Sequence, residues 1–409
     1  MPSLLIKNLS WEFGSKLAVQ VLTFGLSIVM TRYLLPEDYG DFGLLVAIIS
    51  IFSIFQDLSI NEAIIQKGNC TNKVLSSAYW FMFFLGGVCF LSFFALCFLL
   101  KENGVIALNL NLILLLGSTF LFAGMSRGVV LHTSLHLNFK AISVANLISS
   151  LFASVTGVFL AKSGLGVIAL IASFFLKYFL NNVLLFFHSS WKPSLSFSIK
   201  EISPFFRFSK TRSITKIIRL ILAEADVLVV KTFQSEAIFG GYIKSRSIEK
   251  QLSNNMISVY SQVMYSHFSH LKNETGKLLL LLKRAAITVF LISMVLSISL
   301  FVYGENLFVL FFGEHWRESG VLFSLFSLLL LFKPLNHLLE IFLNACGEVT
   351  KTFKVEVYSK IGLIICLIIL VIYKMINTFI LLLFINSFIE CVLLCFSTYK
   401  RILSFEDTL

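Results

Sequence analysis

Arg212, Lys216, Arg219, Ala223 and Asp226 recur at steps of three and four, the spacing that stacks side chains along one face of a helix. Guanidinium groups on such a face can grip phosphate oxygens through paired N–H donors, and lysine adds a compact positive charge. Glu224 and Lys231 lie on its flank. A second row follows, with Arg246, Lys250, Asn254, Ser258 and Tyr265 in near i+4 register and Ser261 beside them. A third face gathers Ser50, Ser53, Asp57 and Asn61, followed by Glu62 and Gln66. Lys177 stands alone among apolar residues, with Ser173 and Asn181 one turn to either side. The chemistry open to these groups is anion binding by the cations, hydration by the serines, asparagines and tyrosine, and proton or Na⁺ exchange at Asp57, Glu224 or Asp226. For Asp57 and Asp226 a static ion pair is an equal alternative, because a neighbouring cation lowers a carboxylate pKa as surely as burial raises it.

What these residues mean depends on what carries them. The chain has 409 residues, 57% of them apolar and only 13% charged, where soluble domains run at about one-quarter charged. Its mean hydropathy is +0.89. A water-soluble globule is excluded. Continuous apolar runs such as 78–100 and 361–373 point to helices rather than to the alternating segments of a β-barrel. Sliding a window of roughly 20 residues, the length that crosses a bilayer core, gives about twelve spans, starting near Phe13, Asp41, Ala78, Val105, Ser143, Gly164, Ser209, Gly241, Lys283, Val321, Phe353 and Asn377. The fold class expected is therefore all-α integral membrane.

The net charge of +11 would suggest nucleic acid in a soluble protein, but here it sets topology and no nucleic-acid partner is expected. With the N-terminus in the cytoplasm, about nineteen Lys and Arg fall in inner connections and about six in outer ones. Both termini are then cytoplasmic, and the first span serves as its own insertion signal. The inner clusters include Lys192, Lys200, Arg207, Lys210 and Arg212 between spans six and seven, and Lys272, Lys277, Lys283 and Arg284 between eight and nine. Charged side chains inside such spans are costly and by default face a cavity. Arg212 and Lys216 lie close enough to the inner surface to snorkel instead; Arg219 lies deeper. Arg246 and Glu249, three residues apart, can pair within their own helix.

The two halves resemble each other. Arg32-Tyr-Leu-Leu-Pro-Glu37-Asp-Tyr39-Gly40-Asp-Phe42 matches Lys231-Thr-Phe-Gln-Ser-Glu236-Ala-Ile-Phe239-Gly240-Gly-Tyr242 once one residue is inserted, each motif between the first two spans of a six-span half. Two parallel six-helix bundles follow, residues 1–208 and 209–409, with the path between them. The segment 17–67, and within it Thr31-Arg-Tyr-Leu-Leu-Pro36-Glu-Asp-Tyr-Gly40, resembles the start of Wzx-type polysaccharide flippases in the multidrug/oligosaccharidyl-lipid/polysaccharide (MOP) exporter superfamily. Weaker likeness continues through 226–242 and through Leu310-Phe-Phe-Gly313-Glu-His-Trp316. The resemblance implies a central cavity, a bacterial cytoplasmic membrane location, and transport of sugar units on an undecaprenyl diphosphate carrier. On that reading Lys177, Arg212, Lys216, Arg219, Arg246 and Lys250 receive the diphosphate, and Ser50, Ser53, Asn61, Asn181, Asn254, Ser258 and Tyr265 line the polar path. A polysaccharide polymerase and a chain-length regulator are partners implied by the family alone.

Rival readings stay in view. A multidrug antiporter of the same superfamily shares the helices, but cations in the cavity repel its usual cationic substrates. A membrane polymerase needs a long outer loop, and the longest connection here is the inner one, 189–208. His132 and His136 have a metal-like i, i+4 spacing without a third ligand, so no metal or organic cofactor is expected. The seven cysteines form no CxxC pair. Gly124-Met-Ser-Arg127-Gly128 reads as a close-packing pattern, and Arg32 with Glu37 in the first outer connection reads equally as a cap or gate contact or as ligand-binding, the repeat of the feature favouring a structural hinge.

Overall fold

A computed structural model describes residues 18–57, 60–68, 70–136, 139–272 and 274–406, with the side chains at 57, 67, 139, 206–215 and 403–406 outside that set. The described chain is helical throughout: α1 (Ala18–Thr31), α2 (Pro36–Asp57), α3 (Ile60–Lys67), α4 (Asn72–Glu102), α5 (Leu110–Gly117), α6 (Thr119–Leu135), α7 (Phe139–Lys162), α8 (Val167–His188), α9 (Ile199–Lys231), α10 (Glu236–Leu271), α11 (Thr275–Phe312), α12 (Arg317–Ser327), α13 (Lys333–Ala345), α14 (Val349–Tyr373) and α15 (Ile376–Glu406). Each expected span has its counterpart, the fourth split at Ser118 into α5 and α6 and the tenth into α12 and α13. Among the described residues nine segments are long and apolar enough to cross a membrane. Missing from those nine are the short α1, and α9 and α10, which carry every candidate cation but Lys177 of α8.

The chain forms two compact units, 1–228 and 229–409. In the first, α7 lies along α8, and α4 along both α2 and α6. Gly86 and Gly124 make the α4–α6 crossing close. A Cβ on Gly124 would stand 2.7 Å from the Met82 carbonyl oxygen, and one on Gly86 2.7 Å from that of Phe120. Gly128 sits against Tyr79 in the same way, so 124–128 is a packing motif. In the second unit α10 packs on α12 and α13, and α11 along α12. An apolar cluster of Phe268, Leu278, Leu282, Phe342, Val355 and Leu394 ties together α10, α11, α13, α14 and α15 at one end.

Two features depart from the sequence reading. First, α9 begins at Ile199, ahead of the expected Ser209, and runs through Pro204. The missing N–H costs one bond, offset by burial of Ile202 and Phe205 against Ile64, Leu75 and Leu131. The connection to α8 shrinks to 189–198, and it is strapped down. Ser76 Oγ accepts from Ser194 N and Ser77 Oγ from Ser198 N, each at 3.0 Å, while Trp80 Nε1 donates to Ser194 O at 2.8 Å. Second, the repeat needs no inserted residue. α1 and α9 end at Thr31 and Lys231, and α2 and α10 begin at Pro36 and Glu236, so Tyr39, Gly40 and Phe42 correspond to Phe239, Gly240 and Tyr242. The contact across the turn recurs with changed chemistry: Thr31 Oγ1 hydrogen-bonds Tyr39 Oη at 2.9 Å, and Lys231 Nζ lies 5.3 Å over the Phe239 ring. Lys231 is also salt-bridged to Glu236. The cation thus answers to Thr31 rather than to Arg32.

Candidate functional site

In the first unit the polar side chains of α2 turn inward. Ser50 and Ser53 return their hydroxyls to the carbonyls of Val46 (2.9 Å) and Ser50 (2.7 Å). That back-bonding satisfies them within α2 without a ligand. Asn61 donates to Arg127 O at 3.4 Å, and Arg127 donates to Ser53 O at 3.0 Å. The structure thereby adds Arg127, a cation on α6, to the α2 face. Gln56, fully buried, donates to Phe120 O. The Asp57 and Arg212 side chains lie outside the described residues.

Lys216 pairs with Glu62 at 2.5 Å, both ends more than a third exposed, so the pair contributes at most about 1 kcal/mol. Arg219 is exposed on α9, and Glu224 and Asp226 are buried further along it. On α8, Lys177 is exposed and Asn181 donates to Asn146 Oδ1 of α7 at 2.6 Å.

In the second unit α10 shows three faces. Glu249, Ser253, Tyr260 and Phe268 turn toward α12 and α13; Val259 and Val263 are exposed and apolar; Asn254, Ser258 and Tyr265 are exposed and polar. Arg246 is buried and Lys250 half-buried at the head of the polar face. Lys244, buried on the same helix, lies 4.9 Å over the Phe312 ring. A membrane helix with an exposed polar face borders water rather than lipid on that side.

Glu249 is held by Lys333 of α13, whose Nζ lies 2.9 Å from both carboxylate oxygens. Its position follows from the break between α12 and α13, a 3₁₀ turn at Leu328–Leu331 followed by Pro334. Side chains from neighbouring helices serve the backbone around that break: Ser297 donates to Ser327 O at 2.9 Å and Tyr260 to Pro334 O at 2.5 Å. Sequence reasoning passed over Lys333, although a Lys-Pro pair inside an apolar span was the signal. Glu390 was passed over too. It accepts from Ser359 Oγ at 3.0 Å, and Asn386 donates to Ser359 O at 3.2 Å. Among the described residues no cluster of three His, Cys, Asp or Glu could hold a metal.

Residues 29–321 match the family described as "Polysaccharide biosynthesis protein". The chain belongs to that family. Similar curated proteins are an "Uncharacterized membrane protein in cps region" of Klebsiella pneumoniae, 22% identical over 76% of this chain, and the "Succinoglycan biosynthesis transport protein ExoT" of Rhizobium meliloti strain 1021, 21% identical over 79%. The aligned region spans 65% of the length of each of these two. The "Lipopolysaccharide biosynthesis protein WzxC" of Escherichia coli K12 is 23% identical over 87% of this chain and 74% of its own. Among solved structures, the lipid II flippase MurJ in an inward closed conformation superposes with a TM-score of 0.75 at 14% identity, over 96% of this chain and 89% of that one. An inward-facing multidrug resistance MATE transporter of the MOP superfamily gives 0.65 at 14%, over 95% and 96%. At such identity the likeness concerns the fold, and it is the all-helical MOP fold. The family member is a multi-pass membrane protein, and the resemblance of its N-terminal segment to polysaccharide exporters agrees with the family match from residue 29 onward.

Proposed function

We propose that this family member is a transporter that moves undecaprenyl-diphosphate-linked oligosaccharide repeat units, of O-antigen or a similar surface polysaccharide, from the cytoplasmic to the periplasmic leaflet. The observation that carries the reading is α10, a helix of a membrane fold that presents Arg246, Lys250, Asn254 and Ser258 in one row. Cations suit a diphosphate, and amides and hydroxyls suit sugars. Family membership and the names of WzxC, ExoT and MurJ support the same class of cargo. The work is alternating access by bundles 1–208 and 209–409 while the polyprenyl tail stays in lipid, and no covalent step is involved. Lys177, Arg212, Lys216 and Arg219 belong to the diphosphate-binding set on this reading. Asp57, Glu224 and Asp226 are its sites for H⁺ or Na⁺ coupling. The membrane is the bacterial inner membrane with both termini cytoplasmic, and a polymerase and chain-length regulator act downstream.

Deleting the gene in its native host and labelling the lipid-linked unit with an impermeant lectin tests this. The expected outcome is loss of surface polymer with the unit trapped on the cytoplasmic face. Units exposed to the periplasm would point to a later step such as polymerisation. An unchanged surface would favour the drug antiporter.

A further inference from the structure

The connection between α8 and α9 alternates. Ser194, Ser196 and Ser198 are half-buried, whereas Leu195, Phe197 and Ile199 point away from the protein at 92%, 55% and 59% exposure. Leu195 and Phe187 (77%), the latter in the last turn of α8, are the two most exposed large apolar side chains among the described residues. Lys192 and Lys200, both exposed, bracket the stripe, and residues 186–200 contain no acid. The next residue, Glu201, lies 3.5 Å from Lys73 of α4. A single exposed apolar side chain needs no explanation; a stripe of three between two cations does.

The level of this stripe is set by α4. The connection meets α4 at Ser76, Ser77 and Trp80, and the continuous apolar run of α4 begins at Ala78, so the strap crosses where α4 passes from polar to hydrocarbon surroundings. Two indoles stand there with their N–H groups engaged, Trp80 on Ser194 O and Trp191 on Asn72 Oδ1, as tryptophans do at a membrane interface. Side chains also serve the backbone: Ser76 and Ser77 accept from Ser194 N and Ser198 N, and Ser189 Oγ accepts from Trp191 N at 3.2 Å. A segment sunk below the headgroups needs such partners, because no water reaches it there.

We infer that residues 187–200 form a lipid-binding strap, with Phe187, Leu195, Phe197 and Ile199 among the acyl chains of the cytoplasmic leaflet and Lys192 and Lys200 on the phosphates of anionic phospholipid. The choice of leaflet rests on the orientation proposed above; the lipid contact does not. Apolar area that would otherwise face water is buried in hydrocarbon, and each lysine is drawn to the negative surface of that leaflet. Lys192 Nζ donates to Phe186 O and keeps donors to spare for a phosphate. Lysines at opposite ends of the stripe meet separate headgroups, which distinguishes this surface from a site for one diphosphate.

Full-length F197W tests the burial in vesicles of equal parts phosphatidylcholine and phosphatidylglycerol, with L195W as a second variant in case the first misfolds. The unaltered protein gives the baseline for its four tryptophans. The added fluorescence is expected to be quenched by lipid brominated on the acyl chain near the glycerol, and hardly by iodide present on both faces. Quenching by iodide alone would show a loop in water, and quenching by neither would show that protein covers the stripe; either overturns the inference. In detergent, K192Q/K200Q is expected to weaken phosphatidylglycerol binding, read by native mass spectrometry, about fivefold for each lysine, with phosphatidylcholine binding unchanged. Equal binding of phosphatidylglycerol by the variant and the unaltered protein would overturn the headgroup contact.

Discussion

Glu249 is 1% exposed and Lys333 37%, and losing one partner of such a pair leaves the other charge stranded. Removing a partner from a fully buried pair costs about 3–5 kcal/mol; with Lys333 partly exposed, about 2 kcal/mol is expected for Lys333→Met. The readout is the thermal midpoint of purified protein in detergent, and E249Q/K333M should recover most of the loss because no lone charge remains. A midpoint unmoved by Lys333→Met would show that water already solvates Glu249. The cations proposed to bind cargo call for a different test. R219A/R246A is expected to lower flipping at least about tenfold, a change of about 1.4 kcal/mol in the transport step, with protein levels kept equal by quantitative blotting. Normal flipping by that variant would remove both residues from the diphosphate site. Neither the partner of Lys333 nor that of Arg127 was legible at this scale. Sequence spacing reports only neighbours on one helix, and both of these residues act across to another: Lys333 to α10, Arg127 to Ser53 of α2.

At the scale of elements, the α4–α6 crossing depends on two glycines and the strap 189–198 on two serines. Gly124→Ala puts a methyl 2.7 Å from the Met82 carbonyl, so the helices must separate and nearby side chains lose contact. A drop of about 1–3 kcal/mol is expected, as for overpacked cores, whereas Gly87→Ala, which meets nothing within 4 Å, should leave the melting curve in place. Equal effects of the two would refute the crossing as the cause. S76A/S77A removes the acceptors of Ser194 N and Ser198 N, each bond contributing about 1 kcal/mol. Limited proteolysis of inside-out vesicles should then cut within 189–198 several-fold faster than in the unaltered protein, and an unchanged rate would mean that Trp80 and Trp191, whose Nε1 donates to Asn72 Oδ1 at 2.5 Å, hold the strap without the serines.

At the scale of the whole molecule, the proposed orientation makes a plain forecast. Green fluorescent protein fused at the C-terminus should fluoresce, as it does in the cytoplasm, and alkaline phosphatase inserted between Lys101 and Leu108 should be active. The reverse pattern would invert every inner and outer assignment drawn from the Lys and Arg bias. That the chain is a series of apolar helices, and where most of the described ones run, was legible in the sequence because a spanning segment must satisfy its backbone internally. That requirement writes a run of about 20 apolar residues for each crossing. The candidate rows on α9 and α10 were legible for a related reason, since charge inside such runs is too costly to be incidental. Their partners were not. That Glu249 meets Lys333, that α9 starts before Pro204, and that the tenth span breaks at Leu328–Leu331 were decided by tertiary packing, because each depends on which side chains of other helices arrive to satisfy a charge or a freed carbonyl.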